Sequence, residues 1–95
     1  MAVGDVKSGI SQVNAAGYLT IQPGAGEEWV IHNLYYADQV EMYFTDGAND
    51  ILFDSDSSAG ARLGACFHVN NGRYLKVKNT SSSAKVIGYD GIQTK

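Results

Sequence analysis

PGAGEEWVIHNLYY, residues 23–36, decides how the rest of the chain is read. Two carboxylates, a tryptophan, a histidine and two tyrosines stand together here, the raw material of an active site. Their order points elsewhere. Pro23-Gly24 stops one strand, and Glu28 to Tyr36 reads as the next. Trp29, Ile31 and Asn33 then point one way and Val30, His32 and Leu34 the other. Apolar groups on both sides predict a strand covered on both faces for part of its length. Glu28 and His32 fall on one face but ~13 Å apart at ~3.3 Å per residue, too far for an acid–base pair. The stretch is a core strand after a turn.

The same alternation extends outward. Tyr18 to Gln22 precedes the turn, with Leu19 and Ile21 on one face. Ala37-Asp38-Gln39 reads as a hairpin loop. Val40, Met42 and Phe44 then alternate with Glu41, Tyr43 and Thr45, and Asp46-Gly47 is the strongest hairpin signal in the chain. Ile51 to Phe53 is a short strand, and Asp54 to Gly60 reads as a polar loop. Leu63 to Val69 is another strand, closed by Asn70-Asn71-Gly72, a turn expected to need positive φ. In Tyr74 to Asn79, Leu75 and Val77 point inward and Lys76 and Lys78 outward. After the turn Thr80 to Ser83, Ala84 to Tyr89 closes the set. The prediction is an all-β antiparallel β-sandwich, or small barrel, of about seven short strands over residues 17–95. Residues 1–16 are an N-terminal arm or an extra strand, because Val6, Ile10 and Val13 have helical spacing but Gly9 interrupts them.

Composition narrows the function. Ninety-five residues make one domain with a modest core. Eleven glycines, six tyrosines and one proline favour strands and tight turns over helices. The net charge is −3, and seven scattered basic residues make a poor footprint for nucleic acid or a membrane surface. No apolar run approaches the ~20 residues of a spanning helix. The start of the chain lacks the pattern of a signal peptide, which predicts synthesis in a reducing compartment. One cysteine, Cys66, allows no internal disulfide and no cysteine-based zinc site.

Four constellations could carry chemistry. Asp46, Asp50, Asp54 and Asp56 could offer oxygen ligands to Ca²⁺, although their spacing is not that of an EF-hand loop. Cys66 and His68 share a strand face, and with His32 they would suit a small hydrolase if a third group oriented the base. Pro23 to Gly26 has two glycines but no phosphate-loop continuation. The tyrosines could form a sugar platform, but aromatics more commonly fill cores and interfaces. The residues therefore predict no catalytic site and no cofactor.

Three segments, GEEWVIHNLYYADQVEMYFTDG (26–47), NNGRYLKVKNTS (70–81) and IGYDGIQTK (87–95), together resemble small structural proteins of tailed bacteriophages. The resemblance implies a non-enzymatic virion protein, made in the host cytoplasm and carried on the capsid surface. It would decorate or cement the capsid as a homo-oligomer, a homotrimer by the habit of such proteins, with copies of itself and the major capsid protein as partners. The alternative it implies is a tail or fibre module that binds host glycan or another virion protein. Under this reading Val6, Ile10, Val13, Tyr89 and Ile92, near the two ends of the chain, are the expected interface residues.

Overall fold

The structure, a computed structural model, describes residues 3–95; Met1 and Ala2 of the segment 1–16 lie outside the described residues. Nine strands follow one another: β1 (Val6–Val13), β2 (Tyr18–Ile21), β3 (Glu28–Tyr36), β4 (Val40–Thr45), β5 (Asp50–Asp56), β6 (Gly60–Arg62), β7 (Phe67–Asn70), β8 (Tyr74–Asn79) and β9 (Lys85–Gln93). They form two antiparallel sheets, packed as a sandwich. The first runs β1-β9-β3, with β6 and β7 both pairing with the far side of β3; the second runs β2-β8-β4-β5. The all-β antiparallel sandwich is therefore the fold, with nine strands where the sequence pattern resolved about seven.

The inner faces meet in one core. Trp29, Ile31, Leu34 and Tyr36 of β3 and Ile87 of β9 face Met42 of β4, Leu75 and Val77 of β8 and Ile21 of β2. At about 25 cal/mol per Å² of apolar surface, each fully buried aliphatic side chain contributes roughly 1.5–3 kcal/mol. Asn79 is fully buried among them. Its amide donates to the Val13 and Ser83 carbonyls, each at 2.9 Å, and its oxygen accepts from Ser81 N at 3.0 Å and Ser81 Oγ at 2.6 Å. Full satisfaction is what permits a buried amide.

Of the two readings of residues 1–16, the extra strand is the one observed: β1 pairs with β9 along its whole length, from Val6 opposite Ile92 to Val13 opposite Lys85. Four local expectations are corrected. The segment Ala37–Gln39 is no hairpin, because β3 and β4 lie in different sheets. Asp54–Asp56 is strand, since β5 continues its ladder with β4 through Val40 opposite Asp56. The expected strand 63–69 begins only at Phe67, because Gly64 takes a left-handed φ of 68°. The turn 70–72 contains no residue with positive φ; instead the Asn70 side-chain oxygen accepts from Gly72 N and Arg73 N, which closes the turn from outside.

The alternation in β3 also breaks once. Ile31 pairs with Gly91 and Asn33 with Asp90, leaving His32 as an extra residue in a β-bulge. Beyond it the faces exchange. Leu34 and Tyr36 point into the core, while Asn33 and Tyr35 point outward, opposite to strict alternation. The other neighbour breaks at the same place: β7 covers Glu28 to Ile31, β6 covers Leu34 to Tyr36, and residues 63–66 bridge the gap.

Candidate functional site

The two outer faces of the sandwich differ in kind. On the outer face of the β2-β8-β4-β5 sheet, charges and aromatic rings satisfy one another. Lys76 Nζ lies 2.8 Å from Asp50 and 4.6 Å from the centroid of the Tyr18 ring. The Tyr43 hydroxyl donates to Glu41 at 2.6 Å. That bond pushes the Tyr43 phenol up to about 12, with burial second. Leu52, opposite Tyr43, is exposed beside these pairs.

The outer face of the β1-β9-β3 sheet exposes a row of aliphatic side chains between polar ones such as Ser8 and Gln12. Pleating brings Val6 and Ile10 of β1, Val86 and Ile92 of β9 and Tyr35 of β3 to one side. Ile10 is 83% exposed and Val6 70%, unusual for aliphatic side chains on a sheet. Gly88 makes a floor between Ile10 and Tyr35, and a shallow groove of about 340 Å³ runs past Ala37, Gly60 and Val86. A Cβ on Gly88 would lie 3.0 Å from the Gly9 carbonyl and 3.4 Å from Ile10 Cγ1, so a side chain there would crowd the groove.

A carboxylate, Asp90, sits among these side chains, and the protein has already bonded it. Asn33 Nδ2 donates to Asp90 Oδ1 at 2.7 Å, and the Tyr35 hydroxyl donates to Asp90 Oδ2 at 2.6 Å. Asn33 is itself held by Gly64 N, which donates to its oxygen at 3.0 Å. The bond to Asp90 raises the Tyr35 phenol above its ordinary range and keeps it a donor. A carboxylate bonded on both oxygens costs less to cover than a bare one.

The sequence-derived candidates fall into three groups. Val6, Ile10 and Ile92 lie together on the exposed face, whereas Val13 is in the core and Tyr89 points inward, its ring under Gly9. The four aspartates do not converge, and no group of metal-ligating side chains forms among the described residues. Asp46 caps its own turn, accepting from Ala48 N and Asn49 N; these bonds lower its carboxyl to about 2. Asp50 pairs with Lys76, which with Thr45 lowers its carboxyl. Asp54 meets Arg62 at 2.7 Å and Asp56 accepts from the Tyr36 hydroxyl at 2.8 Å, two clasps that tie β5 to the opposite sheet. Cys66 Sγ and His68 Nε2 are 3.5 Å apart but exposed, and His68 has no carboxylate partner among the described residues. His32 contacts the Ala65 carbonyl through Nδ1 at 3.2 Å. A thiol and imidazole without an orienting third group lack the geometry of a nucleophilic site.

Sequence reasoning missed Asn33, Tyr35 and Asp90 as a unit. Asp90 lies more than fifty residues along the chain from Asn33 and Tyr35 and meets them only through the bulge.

No family model matches the chain, and neither does any curated protein. A solved structure does. It is a chain of the Bacillus endospore appendages, described as a novel family of disulfide-linked pili; it aligns over 98% of this chain and 87% of its own, with a TM-score of 0.60 and 15% identity. The fold resembles that of a pilus subunit. This likeness overturns the resemblance to phage proteins drawn from the three sequence segments. The expected virion location, the capsid-decorating or cementing function, the tail or fibre alternative and the capsid partner are withdrawn with it. Short segments such as a strand of alternating residues before a Thr-Asp-Gly turn describe many antiparallel sandwiches, so they carried fold information and not the identity of a particle.

Proposed function

We propose that this chain is a non-enzymatic structural subunit that assembles with copies of itself into a surface fibre. The observation that carries this reading is the contrast between the two outer faces. One is satisfied by its own charges, and the other presents Val6, Ile10, Val86 and Ile92 around a carboxylate already bonded on both oxygens. An exposed apolar face on a small β domain marks an interaction surface. The likeness in fold to a pilus subunit supports copies of the same chain as the partner.

The linkage would differ from the disulfides named for those pili. A polymer joined by disulfides needs two half-cystines per subunit, and these 95 residues hold one cysteine. Cys66 alone cannot link a subunit to two neighbours, so the propagating contact within these residues draws on apolar burial and complementary charge.

Sedimentation velocity over a range of concentrations, with negative-stain microscopy of the heaviest fractions, tests the proposal. The parent chain should form concentration-dependent oligomers, and the pair Val6→Glu with Ile10→Glu should leave monomers. Thr20→Glu, on the charged outer face, should assemble like the parent. A parent chain that stays monomeric throughout would refute self-assembly.

A further inference from the structure

Among the apolar side chains around Ile10 the charged group is Asp90, and this bears on what can cover them. Packing two copies of the face against each other would bring two Asp90 carboxylates to one interface without a cation between them. At the other end of the sandwich a cation, Arg73, stands beside an Asp46 carboxylate whose bonds are taken up by its own turn. Phe44 and Ile51 line a hollow of about 190 Å³ beside the β4–β5 hairpin, together with Thr45, Asp46, Asn49 and Arg73. Ile51 is 61% exposed, and the Arg73 guanidinium, also exposed, has no carboxylate partner among the described residues. The strand orders put β1 at one edge of its sheet and β5 at the opposite edge of the other.

We propose that the two surfaces are complementary halves of one contact between copies, with Ile10 of one copy entering the Phe44–Ile51 hollow of the next and Asp90 meeting Arg73. Ile10 and Asp90 suit that task by position. Ile10 pairs with Gly88 and Ser8 with Asp90, so the aliphatic knob and the carboxylate are diagonal neighbours on one face. Each Asp90 oxygen accepts one bond within its own chain and retains capacity for a second, which a guanidinium fork can use. A contact between two different patches is heterologous, so it does not close on itself as a two-fold dimer does. It propagates as a ring or an open filament. The inference rests on the self-assembly reading above and adds its polarity and its partner residues.

A charge swap tests it on the full chain. Arg73→Glu and Asp90→Lys should each raise the concentration of half-assembly roughly tenfold or more. Combined in one chain they should restore it to within about threefold of the parent. Circular dichroism verifies that each variant is folded, and Asp90→Asn, which keeps the shape of the side chain, replaces Asp90→Lys if the latter does not fold. In that case Asp90→Asn and Arg73→Gln should each weaken assembly, and the double variant should be no weaker than either single. If Arg73→Glu assembles like the parent, the hollow is not the partner, and self-assembly through another surface stands. Two weakened single variants without recovery in the swap would overturn the direct pairing. A monomeric parent chain would overturn both this inference and the reading beneath it.

Discussion

Gly91→Ala is the substitution with the sharpest expected effect on the fold. Gly91 pairs with Ile31 immediately before the His32 bulge, where β3 and β9 approach unusually closely. A Cβ there would overlap the Val30 carbonyl oxygen and lie 2.8 Å from Ile31 Cα and 2.9 Å from the Val30 carbonyl carbon. All three atoms are backbone, so no change of rotamer relieves the clash and the strands must part. Overpacking of this kind costs about 1–3 kcal/mol, and each weakened ladder bond adds about 1 kcal/mol. The loss of glycine's freedom in the unfolded chain returns only about 0.4–1 kcal/mol. The net is a destabilisation of roughly 2–4 kcal/mol, against a total stability of about 5–15 kcal/mol for a domain of this kind. At about 4–8 °C per kcal/mol, Tm should fall by roughly 8 °C or more. Thermal melts followed by circular dichroism, at a dilution where the chain is monomeric, read this directly. Gly72→Ala is the matched control: its new methyl would meet nothing closer than Asn70 Oδ1 at 3.7 Å, and its φ is not positive. It should melt no more than about 3 °C below the parent. If Gly91→Ala also melts that close to the parent, the close approach of β3 and β9 is not what holds glycine at this position.

Two further outcomes follow from buried polar groups. Asn79→Ala leaves the Val13 and Ser83 carbonyls and Ser81 N without their partner in a buried site, so the unfolding free energy measured with denaturant should fall by about 3 kcal/mol or more. At alkaline pH the tyrosines set the limit. Burial, and then the bond to Asp56, pushes the Tyr36 phenol up to about 12; the bond to Glu41, and then burial, does the same for Tyr43. Both exceed the ordinary value of about 10 that applies in the unfolded chain. Below pH ~10 both states are protonated and this stabilisation is complete; as pH rises the unfolded state loses its protons first, and the contribution is gone once pH passes ~12. Denaturation at a series of pH values should show stability declining across that window, and Tyr36→Phe should flatten part of the decline.

Much of the sandwich was legible because its strands are half-buried and alternate. Leu75-Lys76-Val77-Lys78 and Val40-Glu41-Met42 carry a period of two that tertiary structure preserves. The exceptions have local causes. Ile10 and Val6 face solvent in β1, so the opposite side of that strand carries Lys7, Gly9, Ser11 and Val13, a pattern with little apolar contrast. Asp54 and Asp56 read as loop because they are acidic, yet they are strand residues whose charges Arg62 and the Tyr36 hydroxyl answer from the other sheet. The site was less legible still. Hydrophobic pattern reports what is buried within one chain, and an apolar residue awaiting a partner looks the same as one in the core. Val6, Ile10 and Ile92 were singled out by their place near the ends of the chain. Nothing in the sequence set them apart from Val13, which the core takes.

The bulge joins the fold to the proposed function. With strict alternation from Trp29, Asn33 and Tyr35 would point into the core and Leu34 to solvent. Two polar side chains would then need buried partners, and Asp90 would stand bare on an apolar face. The extra residue at His32 exchanges the two faces of the strand beyond it. Leu34 enters the core, and Asn33 and Tyr35 emerge beside Asp90 at hydrogen-bonding distance. That exchange requires β3 to crowd β9 at Ile31, which only a glycine at 91 accommodates. The same strain-free approach that stabilises the sandwich therefore also prepares the outer face for burial. A bulge-disrupting change should weaken assembly even where the domain still folds. Gly91→Ala, examined below its melting temperature, should raise the concentration needed for oligomers although it alters no residue exposed on the face. If it melts early yet assembles at the parent's concentration, the face does not depend on the register that the bulge sets.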